Sequence, residues 1–254
     1  MDKDQIQMED DLLILNDVAR AVEENEFVPY VQPVCNLSTN KVVGCEALVR
    51  WTLPDDGTVV PAGLFVPSLE RTNTICGLDW FMIEEMCKYV ARVANTPAQV
   101  PASLNISAQH CKDKSFASRL AAAADWPGIP HELIRVELSE KTLLKGGECV
   151  QNLVATVAEQ GFNVIADNCV FDGNLESLKK MGVSLVKISS SYWRGAKDLK
   201  ADVQTVESLG LTIAAEGVET AEERDALAAA GIAYAQGYHF AHPMSLEEFT
   251  KFCS

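Results

Sequence analysis

The sequence predicts an α/β protein built as a single (β/α)8 barrel, in which the first two strands form an antiparallel pair. Three observations carry this expectation. Short β-rich runs alternate with amphipathic stretches along the whole chain, at a spacing of roughly 20 to 30 residues, which is the rhythm of right-handed βαβ units on a parallel sheet. A chain of 254 residues with 48% hydrophobic and 22% charged residues is long enough to close such a sheet around a substantial core. No Gly/Pro/Ser-rich linker interrupts the alternation, so residues 1–254 read as one domain, a leading helix over 1–26 followed by a barrel over 27–254.

In order, "FVPYVQPV" and "KVVGCEALVRW" are strands whose connection, "CNLSTNK", is polar and too short for a crossover helix; a hairpin is therefore expected there. A helical stretch from about Gly77 to Val93 follows, then the strand "ASLNIS", the helix "SFASRLAAAA" and the strand "LIRVELSE". The alternation continues through helix "VQNLVATVAEQG", strand "FNVIADN", helix "LESLKKMG", strand "SLVKIS" and helix "DLKADVQTVESLG". It closes with "LTIAAEGVE", the helix "TAEERDALAAAG", the strand-like "AYAQGYHF" and a final helix "SLEEFTKF".

Polar residues punctuate these apolar runs at equivalent places. Glu46, Asn105, Glu137, Asp167, Lys187, Glu216 and Gln236 each lie in or at the C-terminal part of a different run. In a barrel those ends meet on one face, where active sites sit. Any one of them alone is better read as a paired or edge residue, but seven in register form a site. Four acids and an amide in one mouth suit a hard cation with oxygen ligands, Mg²⁺, Mn²⁺ or Ca²⁺ rather than Zn²⁺. None of the four histidines occupies such a position; His239 and His242 read as loop or rim residues.

Charge and composition exclude several classes. A net charge of −15 without a Lys/Arg cluster argues against a DNA- or RNA-binding groove, and an anionic ligand would need a cation to mediate. No apolar run approaches the length of a membrane span, and the acidic N-terminus is unlike a secretory signal. The eight cysteines are scattered without a CxxC pair and are expected to be reduced core thiols of a cytoplasmic protein.

At the same positions the chain resembles the EAL domains, the cyclic di-GMP phosphodiesterases. "CEALVRW" at 45–51 resembles their signature, and the likeness continues in unbroken order over about residues 10–253. It runs through "YVQP", "PAGLFVPSLE", "LNIS", "VELSE", "VKIS", "AEGVET" and "QGYHFAHP". The resemblance implies binding of cyclic di-GMP and its hydrolysis to linear pGpG, with Mg²⁺ or Mn²⁺ lowering the pKa of the attacking water. It implies metal coordination by Glu46, Asn105, Glu137 and Asp167, a water-holding Lys187, and Glu216 as organiser of metal and water. Gln32, Arg50 and Gln236 are implied as substrate contacts, and Glu140 as the anchor of the loop that follows Asp167. Homodimerisation through that loop is left open by the family likeness.

The departure lies in that loop. Where the family has DDFGTGYSSL, this chain reads "DNCVFDGNLESL", so Asn168 replaces the second aspartate, the position implied for a second metal ion, and the loop is one residue shorter. Ser184 and Ser189 also stand where the family has aspartates. Asn offers a carbonyl oxygen but not a full negative charge, so one ion is expected to bind better than two. The alternative is an inactive EAL domain that serves as a cyclic di-GMP receptor or binds a protein partner.

Overall fold

The computed structural model describes residues 14–171 and 173–254. Residues 1–13 of the expected leading helix lie outside them, and the described part is helical over 14–23 (α1). β1 (Phe27–Asn36) and β2 (Val42–Thr52) follow as an antiparallel hairpin, in register from Phe27 opposite Trp51 to Val34 opposite Gly44. The Asn36 side chain builds the turn by accepting from the N–H groups of Ser38 and Thr39, and Asn40 takes the left-handed conformation (φ 56°) that closes it.

After a two-residue β3 (Val59–Val60) the chain enters α2 (Ala62–Arg71) and α3 (Ile75–Arg92), then settles into parallel units. These comprise β4 (Ala102–Asn105), α4 (Phe116–Asp125), β5 (Ile134–Ser139), α5 (Glu140–Lys145), α6 (Gly147–Glu159) and β6 (Asn163–Asp167). There follow α7 (Leu175–Met181), β7 (Val183–Ile188), α8 (Ser190–Trp193), α9 (Leu199–Ser208), β8 (Thr212–Ala215), α10 (Ala221–Ala230) and β9 (Tyr234–Ala235). β10 (Met244–Ser245) and α11 (Leu246–Phe252) end the chain.

The strands close in the order β1, β2, β4, β5, β6, β7, β8, β9 and back to β1. β1 is antiparallel to both neighbours, β2 and β9, while all ring pairings from β2 to β9 are parallel. This is the (β/α)8 class with the antiparallel first pair that the short polar turn requires. The parallel strands carry Val, Ile, Leu and Ala on both faces, one lining the barrel and the other meeting the helices. A second apolar cluster lies to one side, where Val18 and Ala21 of α1 pack with Phe27, Trp51 and Phe65. Trp51 Nε1 donates to Glu26 Oε2 at 2.7 Å, which pins this cluster to the start of β1. No helix among the described residues is long and apolar enough to cross a membrane.

One expectation about the cysteines is corrected. Cys111, in the turn after β4, and Cys149, in the first turn of α6, form a disulfide, with Cα atoms 5.3 Å apart. The sequence separation of 38 hid the pairing, because the intervening crossover must fold before the sulfur atoms meet. Cys35, Cys45, Cys76, Cys87, Cys169 and Cys253 are free, and burial pushes the thiols of Cys35 and Cys87 up to about 11 and about 12.

Candidate active site

Parallel strands deliver their last inward residue to one mouth, and the register shows how closely this holds here. Glu46 of β2 is opposite Gln32 of β1, Asn105 of β4 pairs with Glu137 of β5, and Asp167 of β6 pairs with Ser139. Lys187 of β7 stands beside Ala214, while Glu216 and Gln236 follow β8 and β9 directly.

The centre is the Lys187 ammonium, which is buried. Nζ lies 2.5 Å from Glu137 Oε1, 2.6 Å from Glu216 Oε1, 2.7 Å from Glu46 Oε2 and 4.0 Å from Asp167 Oδ1. Gln236 Nε2 donates to Glu46 Oε2 at 2.6 Å and to Glu216 Oε1 at 3.0 Å, and Asn105 Nδ2 donates to Glu46 Oε1 at 3.0 Å. Four carboxylates thus face one ammonium, a surplus of negative charge in a buried mouth. The titration directions express that surplus. Burial pushes Glu137 well above the carboxylate range and Glu216 up to about 8, against the pull of Lys187. At Glu46 burial acts the same way, but Lys187, Gln236 and Asn105 outweigh it and hold the group low. Burial would lower Lys187, and the surrounding carboxylates instead hold it well above its ordinary value.

This donor set fits a divalent cation. Glu46, Glu137 and Glu216 each offer a carboxylate oxygen, and the three oxygens lie within 4.8 Å of one another. Glu137 Oε1 meets Lys187 as an ion pair without hydrogen-bond alignment, and Oε2, also buried, has no hydrogen-bond partner among the described residues. A buried carboxylate oxygen without a donor is costly unless a cation meets it. The oxygen-only ligands are those of Mg²⁺, Mn²⁺ or Ca²⁺.

Asp167 and Asn168 form a unit of their own. Asn168 sits in the left-handed region (φ 54°), and its backbone N–H donates to Asp167 Oδ1 at 2.7 Å while Nδ2 donates to Oδ2 at 2.8 Å. Both oxygens of Asp167 are therefore engaged by its neighbour. Glu140, at the first position of α5, accepts from the Val170 N–H at 3.0 Å, so it ties down the loop after β6. Cys169 is buried beneath that loop, its N–H bonded to the carbonyl of Lys187.

The remaining predicted residues sit around the mouth. Gln32 points its amide to the carbonyl of Ala241 at 3.1 Å. Arg50 shares the strand face of Glu46 but lies beyond it, with its guanidinium 5.8 Å from the Tyr30 ring centre and bonded to its own strand at the Val49 carbonyl. His239 and His242 pack edge-on or tilted against Phe240 and Tyr238 after β9. Beside the acid ring runs a cavity of about 570 Å³, whose walls include Leu48, Val66, Ile75, Met82, Ile106 and Gln109. Its size and apolar walls suit a nucleotide-sized ligand.

Sequence reasoning missed what braces that cavity. His110 is buried and its Nε2 lies 3.0 Å from Asp79 Oδ2, which also accepts from the Ser107 N–H at 2.9 Å. Asp79 thus reaches from α3 to fix the turn after β4 that carries Asn105. Its signal is weak, an acid on the buried stripe of an amphipathic helix with no motif around it. The Trp193 indole donates to the Glu216 carbonyl at 2.9 Å and braces the turn after β8.

An acid-ringed barrel mouth with a central lysine and a nucleotide-sized cavity defines a (β/α)8 protein whose mouth carries a donor set that fits a divalent cation. A profile described as EAL domain matches residues 15–243, and the chain belongs to that family. It is 27% identical over 245 residues to an uncharacterized protein, Rv1357c, of Mycobacterium tuberculosis, covering 91% of this chain and 80% of that protein. It is 26% identical over 249 residues to the cyclic di-GMP phosphodiesterase RocR of Pseudomonas aeruginosa, covering 94% and 62%. Among solved structures, the EAL enzyme Bd1971 in a cAMP- and cyclic-di-GMP-bound form superposes with a TM-score of 0.88 at 22% identity, over 97% of this chain and 70% of that one. The FimX EAL domain of Pseudomonas aeruginosa, bound to c-di-GMP, does so with a TM-score of 0.81 at 21% identity, over 91% and 96%.

Proposed function

We propose that this chain binds cyclic di-GMP and hydrolyses one phosphodiester to give linear pGpG, with Mg²⁺ or Mn²⁺. The observation that carries the reading is the ring of Glu46, Glu137, Glu216 and Asp167 around Lys187, with an unpartnered carboxylate oxygen on Glu137, opening on a cavity of nucleotide size. In the proposal Glu46, Asn105, Glu137 and Asp167 hold one ion, and Glu216 lies close enough to join them. When bound, the ion supplies a lowered water pKa and neutralises charge on the phosphoryl oxygens. Lys187 orients the attacking water through its ammonium, and Gln236 fixes Glu216 and Glu46 relative to it. Gln32 and Arg50 stand at the rim where the nucleotide enters, Arg50 offering a planar fork to a phosphate. Residues 1–254 act in this reading as one unit, in the cytoplasm of a bacterium.

A second reading is favoured by one specific observation. Asn168 donates to both oxygens of Asp167 and so competes with an ion for them, and a receptor that binds cyclic di-GMP without turnover would have that feature. The purified protein is incubated with cyclic di-GMP and Mg²⁺ or Mn²⁺, products are separated by chromatography, and binding is followed by calorimetry. Accumulation of pGpG that is lost in Glu46→Ala supports the enzyme. Tight binding of intact nucleotide supports the receptor, and absence of binding overturns both.

A further inference from the structure

At the other end of the barrel, away from the acid ring, a polar chamber of about 230 Å³ opens among the first residues of the strands. Its lining includes Arg135 of β5, Asn163 of β6, Ser184 of β7, Thr212 of β8 and Tyr234 of β9, and it holds no carboxylate. Side chains two apart on a strand share a face, so Arg135 lies one layer below Glu137 and Tyr234 one layer below Gln236. The strands that present acids at the mouth present donors here.

Arg135 is the unusual member. Its guanidinium makes no hydrogen bond or ion pair among the described residues, while burial presses its pKa below the ordinary value. The titratable groups that face it are the thiol of Cys45, the phenol of Tyr234 and Glu137, and Glu137 is already committed to Lys187. Gly44 leaves room for it, since a Cβ there would stand 3.7 Å from Arg135 Nη1 and 3.3 Å from the Pro101 carbonyl. Arg135 is part-buried and meets no counter-charge there, and a guanidinium is a fork suited to two oxygens of one anion. The Asn163 amide and the hydroxyls of Thr212 and Tyr234 also have no protein partner among the described residues, so three further polar groups are available around the same space. Ser184 instead donates to the Val164 carbonyl at 3.1 Å.

We propose that this chamber is a second ligand site, for a small tetrahedral oxyanion of the size of phosphate, held by the Arg135 guanidinium with Asn163, Thr212 and Tyr234. The chamber is below the range of about 300–1,000 Å³ that houses drug-sized ligands, so a whole nucleotide does not suit it. An anion there gives this part-buried, unpaired cation a counter-charge. The site is separate from the acid ring and independent of the hydrolytic reading.

The test is thermal unfolding and calorimetry with inorganic phosphate against chloride at matched ionic strength, in EDTA, for the full chain and three variants. Phosphate is expected to raise the Tm saturably in the unmodified protein and in Glu46→Gln. Arg135→Met binds phosphate about tenfold or more weakly, yet in chloride its Tm equals or exceeds that of the unmodified protein, because an unpaired cation has been removed. Thr212→Val combined with Tyr234→Phe, which keeps the charge and the shape, weakens phosphate binding several-fold and tests the site if Arg135→Met does not fold. The proposal is overturned by the absence of a saturable phosphate effect, by an undiminished effect in Arg135→Met or in the double variant, or by loss of the effect in Glu46→Gln.

Discussion

Replacing Lys187 with methionine removes the only ammonium among four carboxylates while keeping most of the side-chain volume. Three carboxylate oxygens lie within 2.5 to 2.7 Å of Nζ, and the lysine is 4% exposed. Breaking a buried ion pair by deleting one partner costs about 3–5 kcal/mol, which for a chain of this length corresponds to a fall in Tm of roughly 6–20 °C. Protonation limits the loss. Glu137 and Glu216 already sit high, and without Lys187 their folded-state pKa values rise further, so the variant keeps its stability at low pH and loses it as pH rises through those values. The deficit relative to the unmodified protein is therefore larger at pH 8 than at pH 6, and Mn²⁺ narrows it by restoring positive charge. Thermal unfolding in EDTA and in Mn²⁺ at both pH values measures this. A fall in Tm below about 1 °C, a deficit independent of pH, or indifference to Mn²⁺ would refute the picture of one cation holding the ring together.

Three further outcomes are expected. In the metal-free unmodified protein, Glu216 has its folded pKa raised from an ordinary 4.5 to about 8, so its contribution to stability is present below 4.5 and is lost as pH rises to about 8; urea unfolding in EDTA across that window shows the decline, and Mg²⁺ reduces it. Asn168→Asp loses the Nδ2 donor to Asp167 and places two carboxylates side by side, which lowers metal-free stability by about 1–3 kcal/mol, while Mn²⁺ affinity and pGpG formation rise; unchanged affinity would show that Asn168 does not limit the site. Gly237→Ala puts a Cβ 2.2 Å from the Val218 carbonyl oxygen, which forces apart the turns that carry Gln236 and Glu216, and a Tm lower by several degrees with weaker Mn²⁺ binding is expected from calorimetry and thermal unfolding.

The acid-ringed face was legible because each of its members interrupts an apolar run, and a polar side chain among Val, Ile and Ala must be accounted for at the end of a buried strand. Glu137 is the clearest case, since the alternation in "IRVELS" sends Ile134, Val136 and Leu138 to the helix side and leaves a buried acid on the face turned into the barrel. The first hairpin was legible from its polar turn for the same reason that a crossover helix was excluded. The details after β8 were less so. β9 is only Tyr234–Ala235, and the rest of "AYAQGYHF" is a turn held by Gly237 against Val218. Long-range pairings left no mark in local pattern, as with Asp79 and His110, which are 31 residues apart, or Cys111 and Cys149. The chamber around Arg135 was hidden for a related reason: a charged residue in "LIRVELSE" reads as an edge position until the barrel closes around it.

The most direct test of the central claim is a calorimetric titration of Mn²⁺ into the EDTA-treated and dialysed protein in two buffers of different ionisation heat. A ring of surplus carboxylates predicts about one high-affinity ion per chain with release of a proton near pH 7, since Glu216 must give its own up, and it predicts loss of that ion in Glu46→Ala. Absence of Mn²⁺ binding, or binding that Glu46→Ala leaves unchanged, would contradict the assignment of this mouth as a metal-dependent site.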